Sequence, residues 1–108
     1  MTAEQLIVLN TCPDADTARR IAGALVERRL AACVNIIKGV ESVYEWRGKI
    51  ETDTECVLLI KCSRAAYPDL EQALQSLHPY ELPEIVAVPI EAGLPAYLDW
   101  INDNSKLP

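Results

Sequence analysis

The only histidine of the chain, His78, stands in the segment His78-Pro79-Tyr80-Glu81-Leu82-Pro83-Glu84, a short turn between two apolar runs. A neutral imidazole nitrogen can ligate Cu(II) or Zn, and the carboxylates of Glu81 and Glu84 offer further donors. The prolines stiffen the backbone that would hold them. His78 and Glu81 are therefore the candidate metal ligands. A single imidazole with neighbouring carboxylates does not by itself make a closed site, and the same residues also read as a histidine hydrogen-bonded in a helix-ending turn. A second constellation, Tyr44, Trp46, Lys61 and Tyr80 together with Glu81, mixes aromatic walls with a few charges in the manner of a small-molecule cleft. The competing reading is packing, with Tyr44 and Trp46 as interface anchors and Lys61 paired with Glu55 on one strand face. Lys61 separates the two ligand classes, because an ammonium suits an anion and not a metal.

Catalysis has little in the sequence to rest on. There is no glycine-rich phosphate loop, no serine or cysteine nucleophile with an adjacent base and no helical His-Glu motif. Glu81 and Glu84 do not form an acid-base pair, since Glu81 sits in the turn while Glu84 starts a strand. The reading is a binding protein, not an enzyme.

These residues need elements to position them. Leu6 to Cys12 is an apolar run ending at Pro13-Asp14, which suits a buried first strand. Asp14 or Asp16 caps a helix whose apolar positions are Ala18, Ile21, Ala22 and Leu25. Ala32 to Trp46 and Lys49 to Lys61 form a long hairpin, with Gly39 as a bulge and Arg47-Gly48 as the tight turn. Ser63 caps a second helix carrying Ala66, Leu70, Ala73, Leu74 and Leu77, with Pro68 in its first turns. Glu84 to Ile90 is a fourth strand, placed at an edge or beside a bulge by Pro89. A short terminal helix begins at Pro95. The order β-α-β-β-α-β plus a tail helix predicts an α+β, ferredoxin-like sandwich with a long β2-β3 hairpin, in one domain spanning residues 1–108.

Strand parity predicts an oligomer. Cys56, Leu58, Ile60 and Cys62 share one face, and Glu55, Val57, Leu59 and Lys61 share the other. In the fourth strand Val86, Val88 and Ile90 oppose Ile85 and Ala87. Both faces are apolar in the middle, and two helices cover only one. The short tail helix leaves the second face for neighbouring subunits, because large apolar patches are rarely left exposed.

Composition narrows the partners. The net charge is −6, and residues 55–108 carry three Lys/Arg against eight Asp/Glu, while residues 1–54 carry seven against eight. Without a basic stripe the chain is a poor nucleic-acid binder, and cations are the more natural partners. No apolar run is long enough for a bilayer span or a signal-peptide core, so the expectation is a soluble cytoplasmic protein without membrane association. Cys12, Cys33, Cys56 and Cys62 contain no Cys-x-x-Cys pair, and Cys33, Cys56 and Cys62, inside the expected strands, read as buried hydrophobes in a reducing compartment.

Read together, the segments resemble the CutA divalent-cation tolerance family over nearly the whole chain. The residues that carry the likeness are Pro13-Asp14, Leu30-Ala31-Ala32-Cys33-Val34-Asn35-Ile36, Ser42-Val43-Tyr44 with Trp46, Gly48-Lys49-Ile50-Glu51, Ile60-Lys61, His78-Pro79-Tyr80-Glu81, Pro83-Glu84-Ile85, and Tyr97-Leu98 with Trp100-Ile101. The resemblance implies a ferredoxin-like subunit in a compact homotrimer joined by long hairpins, a link to copper and other divalent cations, and an architectural likeness to PII-type signalling trimers. Some relatives carry a cysteine at the end of the first strand as a possible copper contact. That position is Asn10 here. Cys12 lies two residues on, a shift of about 7 Å along a strand, which argues against a role for its thiol. The PII likeness supports the alternative function, a small-molecule sensor or scaffold using a cleft between subunits.

Overall fold

The computed structural model describes residues 4–105; Met1-Thr2-Ala3 and residues 106–108, which fall within the expected domain, lie outside the described residues. The elements run β1 (Gln5–Cys12), α1 (Ala15–Glu27), β2 (Cys33–Trp46), β3 (Lys49–Ser63), α2 (Tyr67–Leu77), β4 (Val86–Pro89) and α3 (Pro95–Asn104). The four strands form one antiparallel sheet in the order β2-β3-β1-β4. The expected order of elements is present.

Strand alternation builds the core. Leu6, Val8 and Cys12 of β1 and Cys56, Leu58, Ile60 and Cys62 of β3 are buried with Ile21 and Leu25 of α1 and Leu70 and Leu74 of α2. Asp14 caps α1 by accepting from the Thr17 N–H at 2.7 Å, and these hydrogen bonds hold its carboxyl below the usual range. Helix α2 begins at Tyr67 with Pro68 in its first turn. Ser63 accepts from the Ala66 N–H at 3.2 Å, so it caps the turn leading into that helix and not its first residue.

Two features of the hairpin follow the sequence closely. The register shifts between Ile37 and Val40, around a left-handed Gly39 (φ 70°). Arg47 (φ 52°) and Gly48 (φ 83°) connect Trp46 to Lys49, and two positive φ values are what a type I′ hairpin turn requires. Strand β1 pairs with β3 only from Cys56 onward. Beyond that point the hairpin is a two-stranded arm with Val43, Tyr44, Trp46 and Ile50 exposed.

Strand β4 is shorter than the expected Glu84–Ile90. It pairs only with β1, as an edge strand, which is where Pro89 with its missing N–H is tolerated. Helix α3 itself covers part of the second face, which the sequence reading had left to neighbouring subunits. The Ser63 N–H donates to Ser105 Oγ at 2.8 Å and Ser63 Oγ to the Ser105 carbonyl at 2.6 Å. Lys61 Nζ lies 5.7 Å from the Tyr97 ring centre. These bonds seat α3 over the Lys61 end of that face, while Ile37, Val86 and Val88 on the rest of it stay exposed. Among the cysteines, all unpaired by disulfide, Cys12, Cys56 and Cys62 are buried as small hydrophobes, whereas Cys33 at the start of β2 is only half-buried.

Candidate functional site

The projecting arm, the end of β1 and the loop after α2 enclose a cleft of about 730 Å³. Its lining includes Thr11, Tyr44, Trp46, Glu55, Tyr80 and Glu81. Local structure explains why the loop arrives there. His78 ends α2 in an extended conformation, its N–H donating to the Leu74 carbonyl at 2.9 Å. The Arg20 guanidinium donates to the Leu77 carbonyl at 3.4 and 3.5 Å, capping the helix end. Further along, Asn10, fully buried in β1, donates from Nδ2 to the Glu84 carbonyl at 2.8 Å. The loop is thus pinned at both ends before the chain enters β4.

His78 is buried, and both of its ring nitrogens are engaged. Nε2 lies 2.7 Å from the Thr11 carbonyl, and Nδ1 accepts from the Tyr80 N–H at 3.2 Å. Two such partners fix the tautomer with the proton on Nε2. Burial holds the imidazole below its ordinary pKa and so in the neutral form. The hydrogen-bonded reading of this histidine therefore describes its state in the isolated chain.

Glu81 is engaged at the hairpin tip. It pairs with Arg47 at 3.0 Å, and both side chains are largely exposed. The Arg47 guanidinium also lies 5.3 Å over the Trp46 ring. Tyr80 reaches across the cleft and donates to Glu55 at 2.5 Å, and Tyr44 donates to Asp53. Glu55 is only 7% exposed, so this bond ties a sequestered carboxylate to the loop. The bond to Asp53 pushes the Tyr44 phenol up to about 12. Burial, then the bond to Glu55, pushes the Tyr80 phenol up as well.

One reading from the sequence needs correction, and one residue set aside there proves to lie beside the histidine. Lys61 is not in the cleft: its ammonium donates to Asn35 Oδ1 at 2.8 Å and lies against Tyr97, and it makes no pair with Glu55. It shares a face with Glu55 but stands six residues along β3, about 20 Å away at strand spacing. Cys12, set aside because of its displacement along β1, has its thiol 3.9 Å from His78 Nε2 and 3.4 Å from Asn10 Oδ1. The displacement brings it toward the loop. Burial pushes this thiol up to about 11, which leaves it protonated and unreactive as a nucleophile.

The cleft therefore presents acceptors and aromatic faces. Its lining includes Glu55, Glu81 and Glu84 and no lysine or arginine. Among the described residues no three His, Cys, Asp or Glu side chains are close enough to hold one ion together. Sequence reasoning did not anticipate Asn10 as the anchor of the loop or Arg47 as the partner of Glu81. Asn10 had a signal: its parity with Leu6 and Val8 places it inward, where a polar side chain needs partners.

An α+β chain with a four-stranded antiparallel sheet, three helices and an acidic cleft beside a projecting hairpin defines a recognisable structural class. Residues 6–104 match the family described as CutA1 divalent ion tolerance protein, and the chain belongs to that family. The divalent-cation tolerance protein CutA of Thermus thermophilus is 50% identical over 99 residues, covering 92% of this chain and 96% of that relative. Protein CutA of mouse is 49% identical over 92 residues, 85% of this chain but 52% of its own, so the chain spans about half the length of that relative. The solved structure of CutA from Xylella fastidiosa superposes with a TM-score of 0.94 at 44% identity, covering 96% of this chain and all (100%) of the other. A relative from Arabidopsis thaliana, 37% identical over 105 residues (97% of this chain, 58% of its own), bears the name Protein CutA, chloroplastic. No helix among the described residues is long and apolar enough to cross a membrane.

Proposed function

We propose that the chain is a single-domain, ferredoxin-like subunit of a cytoplasmic homotrimer that binds divalent cations, copper above all, without catalysing a reaction. The observation that carries this reading is the acidic cleft, whose lining offers the carboxylates of Glu55, Glu81 and Glu84 and no basic side chain. Such a lining attracts cations and repels anions. Family membership supports the link to divalent ions, and the exposed apolar arm and the bare part of the sheet support assembly. The number three comes from the family resemblance. In this proposal His78 and Glu81 are the ligands, and donors from a second subunit supply what one subunit lacks. Copper reaches His78 Nε2 only in place of its bond to the Thr11 carbonyl, so binding and loop rearrangement occur together. The Cys12 thiol beside His78 is no argument for catalysis, because burial keeps it protonated.

Calorimetric titration of Cu(II) into wild type and His78→Ala, with oligomer mass recorded before and after, tests the proposal. The expected result is saturable binding of about one ion per subunit, lost in the variant while the trimer persists. Equal copper affinity in both proteins would overturn the role of His78.

The size of the cleft favours a second reading. A volume of about 730 Å³ exceeds what an ion needs and falls in the range of small-molecule sites. In that reading the trimer is a PII-like sensor or scaffold whose ligand contacts Tyr44, Trp46 and Tyr80, without Lys61. Thermal-shift screening with metabolites tests it, since a ligand of the folded state raises the melting temperature at saturation.

A further inference from the structure

We infer that the small-molecule ligand of this cleft is an organic cation, a guanidinium or alkylammonium group that takes the place Arg47 occupies in the free subunit. The inference rests on the small-molecule reading of the cleft and specifies the chemistry of its ligand.

Three observations carry it. The first is that a guanidinium already sits at the mouth of the cleft. Arg47 lies 5.3 Å over the Trp46 ring and 3.0 Å from the Glu81 carboxylate, so the site combines a π-face with a counter-charge, the pairing that recognises organic cations. The second is the direction of the hydroxyl groups. The Tyr80 and Tyr44 protons are given to Glu55 and Asp53, which leaves both phenol oxygens with acceptor capacity only. The third is charge. Lys61 is held at Asn35 and Tyr97, the Arg47 guanidinium at the mouth is already paired with Glu81, and the charged residues of the lining itself are all carboxylates.

Arg47 is suited to being displaced. Its pair with Glu81 is about three-quarters exposed on both sides (72% and 73%), and exposed pairs of this kind hold weakly. It stands at the hairpin tip, so its side chain can swing into solvent without disturbing the core. A ligand cation that enters gains the Trp46 face and Glu81, and its alkyl body is covered by Tyr44 and Tyr80. Arg47 therefore acts as an internal competitor.

The test is calorimetric titration of wild type, Arg47→Gln and Glu81→Gln with butylguanidinium, tetramethylammonium and butyrate, alongside Cu(II). The expected result is saturable binding of the organic cations and none of butyrate, with affinity raised roughly threefold to tenfold in Arg47→Gln and lowered by a similar factor in Glu81→Gln. Both substituted side chains are exposed, so loss of folding does not confuse the comparison. Cation binding indifferent to both substitutions would overturn the placement at Arg47. Binding of butyrate in preference to the cations would overturn the ligand class while keeping the small-molecule reading. Binding of Cu(II) alone would overturn both and leave the metal reading.

Discussion

Replacing Tyr80 by phenylalanine removes one oxygen and one hydrogen bond while keeping the ring that packs 4.8 Å from His78. The lost bond, 2.5 Å from the phenol to Glu55, joins the loop after α2 to the base of the hairpin arm. Hydrogen bonds to charged groups contribute about 1.5–3 kcal/mol, and an open cleft on one side places this one near the lower end. We expect a loss of about 1.5 kcal/mol, which lowers the urea midpoint by about 0.5–1.5 M at fixed protein concentration. The same substitution in a Glu55→Gln background should lose about half as much, because the acceptor is then neutral. The phenol supplies a second readout. Its folded pKa is raised above the unfolded value near 10, so its contribution is full below pH 10 and is lost as pH rises through the folded value. Tyr80→Phe should remove that part of the alkaline destabilisation. An unchanged midpoint, with the same alkaline profile as wild type, would refute the idea that this bond holds the loop to the arm.

Other expectations follow from neighbouring groups. Burial depresses the His78 pKa below its ordinary 6.5, so the unfolded chain takes up the proton first. Stability should be full above about pH 6.5 and fall as pH drops below it, by at most about 1.4 kcal/mol per pH unit, a slope that His78→Gln should flatten in pH-dependent urea melts. Val88→Asp places a charge on the bare sheet face, where Val88 is 45% exposed, so subunit secondary structure by circular dichroism should persist while the mass by light scattering falls. An unchanged oligomer mass in this variant would argue against that face as the interface of the proposed trimer. A thiol-reactive dye near neutral pH should modify half-buried Cys33 first, while Cys12 and Cys62, both pushed by burial to about 11, should react only on unfolding. Peptide mapping of the labelled protein checks the order.

What could be read from the sequence depended on whether the information was local. Pro13-Asp14, Gly39, Arg47-Gly48 and Pro95 mark caps, a bulge, a turn and a helix start through constraints within a few residues, and each stands where expected. Parity correctly divided β3 into Cys56, Leu58, Ile60 and Cys62 on the core face and Val57 and Leu59 on the other. Parity identifies a face and says nothing of position along it, which is why Lys61 was grouped with Tyr44 and Trp46. The nearness of Cys12 to His78 was illegible for a related reason. Its distance from Asn10 follows from strand geometry, but its distance from His78 depends on how a loop 66 residues further along the chain is anchored. That anchoring involves Asn10, Arg20 and Glu55, whose partners become visible only once the strands are in register.

The bare face and the cleft are parts of one surface. Glu55 and Tyr44 belong to the same side of the hairpin as Ile37 and Val57, and the loop from His78 to Glu84 passes around the end of β1 to reach that side. A neighbour that covers the sheet must therefore come close to the cleft. If that neighbour completes the site, ligand binding and assembly are linked, and the coupling is reciprocal: the ligand tightens the oligomer by the factor by which assembly tightens the ligand. Sedimentation of dilute protein with and without saturating Cu(II) or butylguanidinium measures one side of this relation, and titrations at two protein concentrations measure the other. Equal dissociation constants of the oligomer with and without ligand would mean that each subunit binds alone. The Arg47 to Glu81 contact would then close a site internal to the subunit.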